Sequence, residues 1–324
     1  MKLLIVKTTS MGDVVHALPA LSDALRALPQ LQVDWLVEQP FAAIPALHPG
    51  VARVLPIAWR KWRGKLLRRE TWAAIAAART QLREQRYDLV LDLQGLLKSA
   101  LWARQAIGPV AGYDRASARE PFASWFYARR AAVPRDLHAV ERSRRLAAAH
   151  LGYAPPTTPP DFGLIAPTPG WPMPSRYAVL IPNASRIEKL WPEARWIAVG
   201  KRLQGSGLTP VVLWGSPAEQ TLAERIAAGC EGEVPPFLKV GEMAGVLAGA
   251  RCIIGLDTGF THLGAALGKP TIGIYCDHEP GLAGVTGPGP VASVGGKGQV
   301  PSQAEVLALL EAQLALTADG TPLS

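Results

Sequence analysis

Cysteine is scarce in this 324-residue chain: Cys230, Cys252 and Cys276 are the three, odd in number and without metal-ligand spacing. That excludes a disulfide scaffold and a zinc-finger pattern, and it reads as reduced core thiols of a cytosolic protein. Long apolar runs are missing too. The opening run Leu3–Val6 ends at Lys7 after four residues, too short for a secretory leader, and no later stretch reaches membrane-spanning length. No G-x-G-x-x-G or Walker A sequence sits between a strand and a helix, which argues against dinucleotide dehydrogenases and P-loop kinases. No Asp-x-Asp pair offers a metal signature. Charged residues are few, at 19%, against 48% hydrophobic, a balance that excludes disorder and predicts folded cores. The length favours two of them.

What charge there is lies unevenly. Residues 1–153 hold 23 Lys and Arg against 12 Asp and Glu, whereas residues 154–324 hold 11 against 14. The first half therefore suits an anionic partner and the second does not. The sign changes at Ala154–Pro174, where eight of 21 residues are proline. Such a segment cannot sustain a hydrogen-bonded ladder and reads as a linker. The predicted domains are 1–160 and 161–324.

Short apolar runs alternate with amphipathic stretches in both halves. Lys2–Lys7, Val33–Val37 and Leu89–Leu93 read as buried strands, followed by Tyr177–Ile181, Thr209–Trp214, Cys252–Leu256 and Thr271–Tyr275. Val14, Leu18, Leu21, Leu25 and Leu28 form a stripe at helical spacing, Pro192-Glu193 opens another helix, and Ser302–Ala315 a last one. Strands alternating with helices predict an α/β class with parallel sheets, here two Rossmann-like units facing across a cleft. In such sheets the ligand-binding loops follow the strands.

Several motifs stand in those loops. Asp257-Thr258-Gly259-Phe260-Thr261-His262 joins a strand to a small-residue helix whose first amides suit a diphosphate, with Thr258, Thr261 and His262 as further donors; an ordinary strand–turn–helix capped by Asp257 explains the same pattern. Lys189 lies in a strand-to-helix loop, able to neutralise a leaving phosphate or merely solvated. Glu219 suits ribose hydroxyls or a helix start. Asp13, at the carboxyl end of the first strand, is either a first-turn acid interacting with the helix dipole, worth roughly 0.3–1 kcal/mol, or a general base. Arg60–Arg69 holds six basic residues in ten, interleaved with tryptophan, and Lys98, Arg119 and Arg142 lie in the same domain. It reads as a solvated face or as the contact for an anion.

The stretches LLIVKTTSMGDVVHALP (3–19), DLQGLLKS (92–99), AREP (118–121), HAVER (138–142), KLWP (189–192) and DTGFTH (257–262) resemble glycosyltransferase family 9. They run through both halves, and the opening KTTSMGD with a late DTG…H is similar to the family's type I enzymes. The resemblance implies a GT-B fold, with the last helix, about 302–316, returning to the N-terminal domain. It implies inverting transfer of L-glycero-D-manno-heptose from ADP-heptose to the first Kdo of Kdo2-lipid A, without metal or cofactor, at the cytoplasmic face of an anionic inner membrane. Asp13 then matches the proposed base. Ser185, Lys189, Asp257, Thr258, Gly259 and His262 match the donor diphosphate site, and Glu219 the ribose contact. Ser10, Gly12, Arg60, Lys61, Arg63, Lys98 and Arg119 fall on the acceptor side. One departure stands out: Asn183-Ala184-Ser185 occupies a loop where the family has threonines, leaving Ser185 as the hydroxyl donor.

Three rivals stand beside this reading. A type II or III heptosyltransferase would share fold and donor but take another acceptor. A sugar-nucleotide epimerase would need no basic cluster. A nucleic-acid-binding module explains Arg60–Arg69 but leaves DTG…H and the net-acidic second half unexplained, so nucleic acid is not the expected partner.

Overall fold

The computed structural model describes residues 1–318, and the chain forms two compact units, Met1–Gly163 and a second beginning at Leu164. The first unit runs β1 (Lys2–Val6), α1 (Met11–Val15), α2 (Leu18–Ala27), β2 (Gln32–Glu38), α3 (Ala43–Ala46), β3 (Val51–Ile57), α4 (Trp59–Trp62), α5 (Arg69–Arg83), β4 (Leu89–Asp92), α6 (Leu97–Ala103), β5 (Val110–Tyr113), β6 (Arg129–Ala131) and α7 (Ala139–Leu151). Among the described residues its strands make one parallel sheet in the order β3-β2-β1-β4-β5-β6. Helices cover both faces, so β1 and β4 bury nearly every side chain, as parallel strands must. Each fully buried leucine there, such as Leu3 or Leu4, contributes roughly 1.5–3 kcal/mol. The strand order reverses between β1 and β4, which puts the switch point, and the expected ligand crevice, at their carboxyl ends.

The second unit runs β7 (Tyr177–Ile181), α8 (Glu193–Gln204), β8 (Thr209–Val212), α9 (Pro217–Cys230), α10 (Val240–Gly249), β9 (Ile253–Leu256), α11 (Gly259–Ala266), β10 (Thr271–Tyr275), β11 (Val291–Gly295) and α12 (Gln303–Ala318). Its parallel sheet has the order β11-β10-β9-β7-β8, with the reversal between β7 and β9. Cys230, Cys252 and Cys276 are free and buried in its core. The closing helix is capped by Ser302 and Glu305, which exchange hydrogen bonds, and it buries Val306 and Leu310 in the same core.

Two details differ from the sequence reading. The apolar stripe from Val14 is not one helix: α1 ends at Val15 and α2 begins at Leu18, because Pro19 lacks the N–H that would bond to the Val15 carbonyl and carry one helix through. Pro192 caps α8 from outside with ψ 136°, and the helix starts at Glu193.

Candidate functional site

In the first unit the turn after β1 is held on both sides. Lys7 N donates to Leu36 O of β2 at 3.2 Å, and Lys7 Nζ donates to Leu93 O beyond β4 at 3.0 Å. The turn ends in Ser10, the N-cap of α1, whose N and Oγ donate to Asp13 Oδ2 at 2.8 and 3.0 Å. Gly12 lies inside the short α1 helix. Arg119 Nη1 stands 3.5 Å from Asp13 Oδ1, and the Asp13 side chain is 25% exposed. Burial pushes the Asp13 carboxyl up, but Lys7, the Ser10 amide and hydroxyl, and Arg119 outweigh it. The group is held below the ordinary carboxylate range. Asp13 is thus a charged, reachable carboxylate at the carboxyl end of the first strand.

Cations gather beside it. Lys98, half-buried at the start of α6, donates to Thr9 Oγ1 at 2.6 Å, and burial together with Arg60 holds its ammonium below the usual lysine range. Glu38, at the end of β2, accepts from the Arg60 amide at 3.2 Å. Burial raises its carboxyl, partly opposed by Arg60, Lys98 and Arg63. Arg60 lies over the Phe41 ring at 5.5 Å. Ring contacts of Trp59 and Trp62 with Trp102 fix α4 against α6. The structure therefore brings Ser10, Asp13, Arg119, Lys98, Arg60 and Arg63 into one electrostatic neighbourhood. Lys61 is exposed on the same turn. Lys7, Glu38 and Gln94 join the group without having been assigned a role from sequence, though each stands at the end of a strand.

In the second unit the switch point carries an ion-paired cluster. Lys189, in the loop after β7, donates to Asp257 Oδ2 at 2.5 Å across from the end of β9. His262 Nε2 lies 3.3 Å from Asp257 Oδ1. Burial alone would raise the Asp257 carboxyl, but His262 and Lys189 hold it well below the usual range. Thr258 is the N-cap and Gly259 the first residue of α11, and Thr261 Oγ1 donates to Leu256 O at 2.6 Å. Gly255 must be glycine, since a Cβ there would collide with the Thr261 hydroxyl and crowd Ile181. The first amides of α11 and the Lys189 ammonium are groups of the kind that meet a diphosphate. Glu219 is engaged locally: its carboxylate accepts from Gly215 N at 2.8 Å while Ser216 Oγ, the N-cap of α9, accepts from Glu219 N at 3.4 Å, so both contacts hold the start of that helix. Ser185 is exposed in the loop before Lys189. Arg186, its neighbour, pairs with Asp277 at 2.6 Å, a contact that joins the loops after β7 and β10.

Known proteins match this arrangement along the chain. The family model for glycosyltransferase family 9 (heptosyltransferase) matches residues 75–305. A lipopolysaccharide heptosyltransferase 1 of Pseudomonas aeruginosa is 47% identical over 298 residues, 89% of this chain and 82% of that one. The E. coli heptosyltransferase WaaC, solved with ADP, has a TM-score of 0.90 at 40% identity, covering 97% of this chain and all of that one. The same enzyme solved with ADP-2-deoxy-2-fluoro heptose has a TM-score of 0.85 at 39% identity, over 96% and 99% of the two chains.

Proposed function

The chain belongs to glycosyltransferase family 9, the heptosyltransferases, and from that premise we propose that it moves L-glycero-D-manno-heptose from ADP-heptose to the first Kdo of Kdo2-lipid A. The observation that carries this reading is the pair of complementary sites in a chain similar throughout to type I enzymes. One is an ionised carboxylate ringed by cations, and the other is an anion-ready helix start with a paired lysine.

The chemistry is a single displacement. An acceptor hydroxyl attacks the anomeric carbon while Asp13 takes its proton, and the C–O bond to ADP breaks with inversion. The charge on the departing diphosphate meets Lys189, the first amides of α11 and His262, donors that need no reorganisation as charge develops. The lysine charge and the helix-start donors take the part a bound metal plays elsewhere. Glu219 accepts from ribose hydroxyls through the carboxylate oxygen that does not hold Gly215 N, and Ser185 donates to phosphate. On the acceptor side, Arg60, Lys61, Arg63, Lys98 and Arg119 meet carboxylates and phosphates, with Ser10 and Gly12 in the turn beneath.

An amphiphilic acceptor also suits what lies next to Lys98. A cavity of about 210 Å³, lined mainly by Trp59, Ile75, Leu101 and Trp102, opens beside that residue. Trp72, Phe122 and Trp125 are more than half exposed nearby on α5 and on the turn packed against α6. No helix among the described residues is long and apolar enough to cross a membrane. A basic, aromatic-studded side of the first unit supports work at the cytoplasmic face of an anionic membrane.

Neutralising Arg60, Lys61 and Arg63 together raises the acceptor KM and leaves the donor KM alone. Exposed charges are screened over about 8–10 Å at physiological salt, so acceptor use by the wild type weakens as salt rises and the triple variant responds less. Equal salt slopes in the two proteins would show the run to be a solvated face only. The acid limb of kcat reports Asp13. Since its folded pKa is depressed, activity is present above that pKa and is lost as pH falls through it. Lys7→Met removes a cation that opposes burial, so the limb moves to higher pH; an unmoved limb in a folded Lys7→Met enzyme would detach it from Asp13. Acceptor profiling tests the type assignment: Kdo2-lipid A is used, and an acceptor already carrying the first heptose is refused. The reverse preference would move the chain to type II.

A further inference from the structure

Gln94 lies just past β4 at the switch point of the first sheet, 2% exposed. Its Oε1 accepts from Thr8 N at 2.7 Å, Thr8 Oγ1 at 2.7 Å and Thr9 N at 3.3 Å. Its Nε2 donates to Thr9 O at 2.6 Å and Thr9 Oγ1 at 3.0 Å. Backbone nitrogens only donate and carbonyls only accept, so these partners permit one orientation of the carboxamide.

The side chain continues the sheet. Between β1 and β4 the backbone pairing ends where Leu93 N donates to Val6 O at 3.0 Å. From there the carboxamide acts as an added peptide unit and carries the pairing through Thr8 and Thr9. Gln94 is itself fixed: its N and Gly95 N donate to Asp92 Oδ1 at 2.8 and 3.3 Å. The hydroxyls of Ser99 and Tyr127 donate to Asp92 Oδ2 at 2.7 and 2.8 Å. Gly95, at φ +67°, makes the turn that returns the chain to α6. A continuous path of hydrogen bonds thus runs from Asp92 through Gln94 to Thr9, and one peptide further Ser10 holds the carboxylate of Asp13.

We propose that Gln94 is a positioning residue for the transfer reaction, fixing the Thr8–Ser10 turn and through it the place and ionisation of Asp13. The inference rests on the reading of Asp13 as the base. Removing the carboxamide leaves two amides and a carbonyl buried without partners, so the turn has to move to find others. A displacement of about 1 Å in catalytic geometry can cost on the order of 100-fold in rate.

The test compares wild type, Gln94→Met, Gln94→Glu and Asp13→Asn in turnover of ADP-heptose with Kdo2-lipid A, alongside thermal melts and calorimetric titration of ADP. Glutamate keeps the three accepting contacts and loses the two donations, so it carries the test if the methionine variant fails to fold. Gln94→Met lowers kcat by about 100-fold, with ADP affinity unchanged and acceptor KM within a few-fold. The acid limb of its pH profile moves up as the Ser10 hydrogen bonds to Asp13 loosen. Gln94→Glu falls between this variant and the wild type. A folded Gln94 variant turning over within threefold of wild type, with its acid limb unmoved and only its melting temperature lowered, overturns the proposal while Asp13→Asn stays inactive. If Asp13→Asn is itself active, the reading beneath it fails and takes the proposal with it.

Discussion

Asp13→Asn leaves a folded protein that binds ADP and barely turns over. The substitution keeps the shape of the side chain, and an amide oxygen in the place of Oδ2 still accepts from Ser10 N and Oγ, so the start of α1 stays capped. What disappears is proton acceptance and the 3.5 Å pairing with Arg119, whose side chain is 52% exposed. An exposed pair of that kind is worth little, about 0–1 kcal/mol. General-base catalysis is typically worth 10²–10⁴-fold, so kcat falls by about that much. Were Asp13 only a helix-start acid, the same change would cost under about 1 kcal/mol of stability and leave the rate nearly intact. The stability cost is small under both accounts, so kcat separates them: it collapses if Asp13 is the base and stays nearly intact if it is not. A variant that melts several degrees lower yet turns over within threefold of wild type would make Asp13 structural.

Lys189→Ala has the second large effect, on the donor. The lysine is 17% and the aspartate 15% exposed in the 2.5 Å pair, so it is far from an ordinary surface contact. Removing the ammonium takes one cation from the diphosphate site and leaves the Asp257 carboxylate facing the incoming anion with His262 as its neighbour. A hydrogen bond to a charged group contributes about 1.5–3 kcal/mol, so ADP affinity falls about 10- to 100-fold. The loss in kcat/KM is larger, on the order of 10²–10³, because the lost charge matters most as the leaving group departs. Calorimetric titration of ADP and steady-state kinetics read the two effects separately. Wild-type ADP affinity in a folded variant would remove Lys189 from the donor site.

The sequence revealed the centre of each sheet more readily than its edges. Lys2–Val6 and Tyr177–Ile181 are buried on both faces, so their apolar runs stand out. Val51–Ile57, Arg129–Ala131 and Val291–Gly295 lie at sheet edges, partly exposed and interrupted by polar residues or proline, and carry no such run. Val110–Tyr113 is buried but only four residues long, with a glycine inside. The site divides in a similar way. Lys189 and Asp257 each follow a readable strand, which made them candidates before their contact was visible. Gln94 stands in the DLQG stretch without a legible task, because its partners Thr8 and Thr9 lie 86 and 85 residues away and meet it only through the parallel pairing of β1 with β4. Glu219 shows the converse. Sequence left ribose contact and helix capping both open, and the structure shows the capping contact in place.

The most direct measurement is a transfer reaction with ADP-heptose and Kdo2-lipid A, with and without a metal chelator. ADP release is followed alongside the mass and anomeric linkage of the acceptor. The account predicts one heptose gained per ADP released, an inverted linkage, and a rate the chelator leaves unchanged. ADP release with the acceptor unaltered, or transfer with retention at the anomeric carbon, would contradict it.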